Sequence, residues 1–417
     1  MLPPGSPLSA WLAWLETLHP NEIELGLERT RTVLERLELE RPDHVLLIAG
    51  TNGKGSSVAM ASALLSAAGL RVGAYTSPHI IDYNERIATN VASGKALLQP
   101  ATDEQIVAAF EKIEAVRDDI LLTYFEYGTL AAAVVFSEAE LDVWILEVGM
   151  GGRLDATNTI EPTAALITNV ALDHCDWLGE DVETIAMEKA GVMRPDVPVV
   201  YGGLEPPRAI LRHARDIGAR LLLRGRDFDA RDVPRPGLAG DFQIDNAAAV
   251  IAMLDAAGLA EATEKELVAA VLPAVEIPGR GQRVEHDGRH WLLDVAHNPA
   301  AAQVLATTLS GDEHDGQTIA IVGMLADKDV EGAVAALDGQ VSLWIATTAQ
   351  GGRAIEAPEL GRRIANVTNR PCLVASTIDE AMETARREAG ENDKILVTGS
   401  FYVVGPVLER LYSRPRT

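Results

Sequence analysis

The octapeptide GTNGKGSS, Gly50 to Ser57, follows the apolar run HVLLIAG and opens a helical pattern. A glycine-rich turn between a buried strand and a helix can aim backbone N–H groups at an anion, and the helix N-terminus adds its positive end. Lys54 is placed to reach the outer phosphates of a nucleotide. An ordinary phosphate-binding loop puts Ser or Thr directly after its Lys, where the hydroxyl meets Mg²⁺. Here Gly55 separates Lys54 from Ser56, so the metal-facing hydroxyl is expected from elsewhere. Glu147 ends the strand-like run DVWILEV, where parallel sheets present ligand groups. His174 closes the following run, NVALDH. A histidine at a strand end is more often a hydrogen-bonded structural residue, so its role depends on what surrounds it.

These residues need a sheet whose strands end at one edge. HVLLIAG, RVGAYTS, DVWILEVG and AALITNVALDH read as strands, with helices over Ser56–Ala68 and YFEYGTLAAAVVFSEAE between them. Continuous apolar strands alternating with helices predict a mostly parallel sheet covered on both faces. After Tyr201 the pattern becomes more helical, with QIDNAAAVIAMLDAAGL and TEKELVAAVLPAV. EIPGRGQ then concentrates Pro278, Gly279 and Gly281 and reads as a linker. Beyond it HWLLDVA, TIAIVG, SLWIATT, PCLVAS and KILVTGS are strands of a second, smaller α/β domain. The expected division is 1–278 and 279–417.

Composition narrows the function. The 417 residues exceed one ordinary core, and 36 basic against 61 acidic residues give a net charge of −25. That balance argues against a nucleic-acid backbone or an anionic membrane as main partner. Cys175 and Cys372 are too few for a disulfide framework or a thiolate metal site. The N-terminus has no basic start, and no run approaches the roughly 20 apolar residues that cross a bilayer. A cytoplasmic protein is expected.

GTNGKGS, TSPH, LTYFEYGTL, LEVGMGGRLDATN, ALDHCDWLG, EKAGV and DVAHNP occur in this order. Together they resemble the folylpolyglutamate synthase and dihydrofolate synthase family, which belongs with the Mur peptide ligases, from about Trp11 to about Tyr412. The resemblance implies an ATP-binding domain followed by a Rossmann-like domain. It implies ATP-driven amide formation between a pterin-linked carboxylate and L-glutamate through an acyl phosphate, with dihydropteroate and reduced folates as acceptors. The implied protein is a monomer that takes small molecules only, with ATP as co-substrate and Mg²⁺ at two sites.

By resemblance, Thr51, Asn52, Gly53 and Lys54 hold the phosphates, and Asn246, Arg280 and Asp294 touch ATP, which would lie between the domains. Ser77, Glu147 and His174 would be the metal residues, and Cys175 a small packing residue. Lys189 would be carbamylated, so that an anion replaces a cation near the metals. Lys54, His174 and Lys189 form the implied catalytic set. The pterin side would comprise Thr17, Leu18, His19 and Pro20, then Thr123, Tyr124, Phe125 and Glu126, then Leu154, Asp155 and Ala156. His297 and Ser400 would contact glutamate.

Other readings are an enzyme with only one of the two activities, a Mur-type cell-wall ligase, and a nucleotide switch without catalysis. TYFEYG and GTNGKGS favour folate over the cell wall. ADKDV lacks the leading Asn or Thr of a guanine switch. The acidic, Lys-poor composition fits either adaptation to salt or a high-GC codon bias. Salt screens the self-repulsion of an acidic surface. A salt-adapted protein should therefore melt at a higher temperature in molar than in dilute potassium chloride. A flat or falling trend leaves codon bias.

Overall fold

The apolar runs fold as buried strands in two sheets. The computed structural model describes residues 2–3, 5–19, 24–91, 98–311 and 316–412. The chain divides into two compact units. One comprises Met1–Gly237 with Phe242–Val275, the other Leu238–Asp241 with Glu276–Thr417.

In the first unit α1 (Leu8–Leu18) and α2 (Glu28–Leu37) precede β1 (His44–Ala49), α3 (Lys54–Ala67), β2 (Val72–Tyr75), β3 (Ile87–Thr89) and β4 (Gln99–Pro100). Next come α4 (Asp103–Arg117), α5 (Tyr124–Glu138), β5 (Val143–Glu147), β6 (Ala164–Ile167), α6 (Cys175–Leu178) and α7 (Val182–Ala190). β7 (Pro198–Tyr201), α8 (Arg208–Ile217), β8 (Arg220–Leu223), α9 (Phe242–Ala256) and α10 (Lys265–Val271) complete it. The sheet order is β4-β3-β2-β5-β1-β6-β7-β8. β2, β5, β1, β6, β7 and β8 pair in parallel, while β3 and β4 extend the β2 edge antiparallel. β1 lies between β5 and β6, so the turns after these three strands meet at one sheet edge, where open α/β sheets bind ligands.

The second unit holds β9 (Gln282–His286), β10 (Arg289–Leu293), α11 (Pro299–Ser310), β11 (Thr318–Val322), α12 (Val330–Leu337) and β12 (Leu343–Thr347). α13 (Ala357–Ala365), β13 (Cys372–Ala375), α14 (Ile378–Glu388), β14 (Lys394–Thr398) and α15 (Phe401–Tyr412) follow. Its order is β13-β12-β11-β14-β10-β9, parallel except for the β9–β10 pair. Leu292, Ala320, Trp344, Leu360 and Leu396 fill its core.

Several elements lack a sequence signal. β9, QRVEH, is a polar strand with little burial, and β7 and β8 are four residues each. The TEKELVAAVLPAV helix stops at Val271, just before Pro273. The glycine-rich stretch after Pro278 is not slack. Gly279 N–H donates to Gln282 Oε1 at 2.8 Å and Gly281 N–H to Asp294 Oδ2 at 2.8 Å, fixing it to the second unit.

α1 is held to α4 and α5 by an aromatic layer of Trp11, Trp14, Phe110 and Tyr127. Under it lies a buried polar knot. Glu114 accepts from Arg117 Nε, from Arg117 Nη2 at 3.2 Å and from Tyr127 Oη at 2.7 Å. Arg117 Nη1 also donates to Ile120 O at 2.9 Å. Removing one partner of a buried ion pair leaves the other charge uncompensated, so Glu114→Ala should cost about 3–5 kcal/mol. Urea denaturation measures it. A loss below about 1 kcal/mol would place this pair among exposed ones.

Candidate active site

The turn after β1 is fixed from within. Thr51 N–H donates to Asn169 O at 3.0 Å and Asn52 N–H to Asn169 Oδ1 at 3.1 Å. Thr168 Oγ1 and Asn169 Nδ2 both donate to Asn52 O, at 2.7 and 3.0 Å. Ala171 N–H donates to Thr51 Oγ1 at 3.0 Å. The loop after β6 thus acts as a splint for the phosphate loop. The N–H groups of Thr51 and Asn52 are both engaged by Asn169. The first turn of α3 remains as the anion-facing part, because Gly53 precedes it and no side chain caps it. Asn246 of α9 lies against Gly53, and Gln243 Nε2 donates to Ser56 Oγ at 3.1 Å. Ser56 is buried in that bond.

Gly50 carries the close approach. Its φ is +146°, and a Cβ there would lie 1.8 Å from Thr168 Oγ1. Its carbonyl accepts from two lysines, Lys54 Nζ at 3.1 Å and Lys189 Nζ at 3.0 Å. Lys54 also donates to Thr51 O at 3.3 Å. Lys189 is 3% exposed on the last turn of α7. Burial, and then the Lys54 charge, lower its pKa from 10.5 to about 7, while Asp173 and Asp155 oppose the shift. The turn after β5 supports Lys189. Gly152, at φ +155°, packs against the carbonyls of Glu188 and Lys189, and Arg153 N–H donates to Glu188 O at 2.8 Å.

Glu147 ends β5 with 5% exposure, and its Oε2 accepts from Ser77 N–H at 3.3 Å. Its carboxylate is also the nearest group facing Gly55. His174 does not close a strand. β6 ends at Ile167, and His174 stands in the splinting loop with φ +51°, at the start of α6. Among the described residues no three His, Cys, Asp or Glu side chains cluster as metal ligands. A hard cation bound through one carboxylate, with waters and phosphate oxygens completing its shell, needs no such cluster, and a buried carboxylate beside the phosphate loop fits it.

Three stretches expected on the pterin side come together. Thr123 and Glu126 form the capping box of α5. Thr123 N–H donates to Glu126 Oε2 at 2.8 Å, and Glu126 N–H to Thr123 Oγ1 at 3.3 Å. Phe125 packs 5.9 Å from the Tyr75 ring and against Gly149. Tyr124 shares the Arg86 guanidinium with Tyr83, each ring 5.4 Å away. Arg86 Nε donates to His79 Nδ1 at 2.9 Å, and burial with the Arg86 charge lowers His79 to about 4. Asp155 accepts from Met150 N–H at 2.9 Å and Thr157 N–H at 3.0 Å, and burial raises its pKa. It is followed by Ala156 at the start of a short 3₁₀ turn. Leu154 O accepts from Gly26 N–H at 3.3 Å. At the end of α1, Thr17 Oγ1 donates to Trp14 O at 2.8 Å, Leu18 packs on the core, and His19 lies 3.5 Å from Glu24. Pro20 falls outside the described residues. Glu24, Arg29, His79 and Arg86 were not singled out from sequence, although LETLHPNEIELGLERT and TSPH hold three of them.

The second unit gathers its own set. Asp294 accepts from Gly281 N–H at 2.8 Å and Ala296 N–H at 2.9 Å. Burial raises its pKa against the opposing Arg280 charge. Arg280 lies over the Phe401 ring at 5.1 Å, and His297 faces the same ring at 6.3 Å. Nδ1 of His297 is 2.9 Å from Val295 O. Ser400 is buried and accepts Tyr402 N–H on its Oγ at 3.1 Å, at the start of α15. Its hydroxyl therefore serves the helix start.

Residues 48–195 match the Mur ligase middle domain, and residues 279–401 match the Mur ligase glutamate ligase domain. The chain is 40% identical to the dihydrofolate synthase/folylpolyglutamate synthase of Escherichia coli (strain K12), covering 98% of its own length and 97% of that relative. It resembles the structure of E. coli FolC in complex with DHPP and ADP, with TM-score 0.90, 37% identity and coverage of 98% and 99%. It also resembles the bifunctional folylpolyglutamate synthase/dihydrofolate synthase from Yersinia pestis complexed with AMPPNP and Mn ion. That match has TM-score 0.88, 39% identity and coverage of 99% and 100%.

The splint generates a stability prediction. Gly50→Ala combines an unfavourable φ with a clash and should cost about 2–4 kcal/mol in urea denaturation. Adding Thr168→Ala removes the closest overlap, leaving the residue 168 Cβ and N at 3.1 and 3.2 Å, and should recover part of the loss. No recovery would mean that the backbone conformation alone excludes a side chain.

Proposed function

The chain belongs to the dihydrofolate synthase/folylpolyglutamate synthase family of Mur ligases, and from that membership and the site geometry we propose that it ligates L-glutamate to dihydropteroate and to reduced folates at the expense of ATP. A carboxylate is a poor electrophile. Its oxygen attacks the γ-phosphorus of ATP, ADP leaves, and an acyl phosphate forms. The glutamate amine attacks the acyl carbon, phosphate leaves, and the nitrogen loses its proton as the amide forms. Catalysis of phosphoryl transfer is chiefly positioning and charge neutralisation.

The first turn of α3 and Lys54 would hold the phosphates, with Lys54 leaving the carbonyls of Gly50 and Thr51 to meet them. Asn246 sits against the loop as a nucleotide contact. Ser77, Glu147 and His174 would hold Mg²⁺, a second Mg²⁺ would lie beside Lys189, and the metal would neutralise charge on the triphosphate. Tyr124 and Phe125 offer ring faces to the pterin, and Asp155, with Leu154 and Ala156, shapes the adjoining turn. Arg280 and Asp294 are proposed as further ATP contacts, and His297 and Ser400 as glutamate contacts. The enzyme is read as a cytoplasmic monomer.

One observation carries this reading: Lys189 is buried and bonded to the phosphate loop's own carbonyl, where burial and then the Lys54 charge push its pKa down to about 7. CO₂ adds to the neutral amine, and burial with Lys54 supplies that neutral form near physiological pH. The added carbamate would replace a cation by two oxygens where an ammonium would repel metal. Wild-type protein should release ADP in a glutamate-dependent way with dihydropteroate and with a reduced folate monoglutamate. Turnover with only one acceptor would reduce the enzyme to a single activity. Lys189→Arg keeps the charge and cannot be carbamylated in this way. Turnover should fall about 100-fold or more, with much of the nucleotide binding retained. Near-normal turnover would make Lys189 a packing cation.

A further inference from the structure

Arg29, on the first turn of α2, bonds directly to the Thr123–Glu126 stretch, and its neighbours Glu24 and Gly26 meet the other two stretches assigned to the pterin side. Its Nη2 donates to Glu126 Oε1 at 3.0 Å and its Nε to Glu126 Oε2 at 3.4 Å. Its Nη1 donates to Glu24 Oε1 at 2.5 Å and its Nη2 to Glu24 O at 2.9 Å. Glu24 Oε2 in turn lies 3.5 Å from His19 Nε2, at the end of α1. Between them, Gly26 N–H donates to Leu154 O at 3.3 Å, in the turn that carries Asp155. One guanidinium therefore ties the 24–29 segment to the start of α5 and, through its neighbours, to the ends of α1 and of the turn after β5.

We propose that Arg29 is the positioning residue that sets the affinity of the acceptor site for the pterin end of dihydropteroate. The proposal rests on the functional reading above. Glu126 has a side chain 4% exposed, and its two oxygens are shared between Arg29 and the Thr123 N–H. Without the fork, this buried carboxylate loses its cation and must turn to find another partner. That change disturbs the capping box that aims Tyr124 and Phe125. A planar fork fixes two carboxylate oxygens at once, which a lysine cannot reproduce. The bonds made by Arg29 do not touch the phosphate loop or Lys189, which are held by Asn169 and Gly50.

The test is steady-state kinetics of the full-length enzyme with dihydropteroate, ATP and glutamate as the varied substrates, together with thermal melting. Arg29→Ala should raise KM for dihydropteroate about tenfold or more, with kcat and KM for ATP changed less than about threefold. Arg29→Lys should recover only part of that affinity. Glu24→Gln alters the more exposed end of the clamp, and should raise the same KM to a smaller extent even if Arg29→Ala fails to fold. Unchanged KM for dihydropteroate in the folded variants overturns the proposal. So does a parallel rise in both KM values with a lowered melting temperature, because that marks a general structural role. Absence of dihydropteroate turnover in the wild type overturns the functional reading itself, and this proposal with it.

Discussion

The approach of the Gly50 backbone to the loop after β6 constrains the first unit more than any other contact. A side chain at residue 50 would overlap Thr168 Oγ1, so only the bare backbone lets Thr168 and Asn169 hold the phosphate loop. That closeness also leaves the Gly50 carbonyl facing Lys54 and Lys189 together. Two ammonium groups on one acceptor in a buried place repel each other. Burial first, and then this repulsion, lower the pKa of Lys189. The loop's shape and the lysine's chemistry thus have one origin.

The two units repeat a device at their turns. Asp155 and Asp294 each accept two backbone N–H groups, and burial raises the pKa of both. Such a carboxylate works first as a fastener for an irregular turn, since buried backbone donors need a partner. Thr123 with Glu126, and Ser400, are likewise committed to helix starts. A residue in a ligand-facing turn can hold the turn and line the site together, and rigid support is what keeps reacting groups within reach.

Much of the architecture was legible because parallel strands buried on both faces are written as continuous apolar runs. β1, β5, β10, β11, β12 and β14 each announce themselves that way, and GTNGKGSS follows the first of them. Polar β9 carries no such run, and those of β7 and β8 are only three or four residues long. The expectation that His174 closes a strand failed because NVALDH continues the apolar pattern after the ladder has ended at Ile167. What the sequence could not display is pairing at long range. Asn169 meets Asn52 across 117 residues, Lys189 meets Gly50 across 139, and Arg29 meets Glu126 across 97. Spacing along a chain gives no account of these. The low Lys189 pKa owes first to burial and then to a lysine far away in sequence.

The most direct measurement of the Lys189 claim is carbon-13 NMR of the protein equilibrated with ¹³C-bicarbonate across a pH series. The account predicts a carbamate carbonyl resonance in the wild type that grows as pH rises through about 7, where the amine gives up its proton. The resonance should be absent from Lys189→Arg. A wild-type spectrum with no such resonance, or one that Lys189→Arg retains, would contradict it.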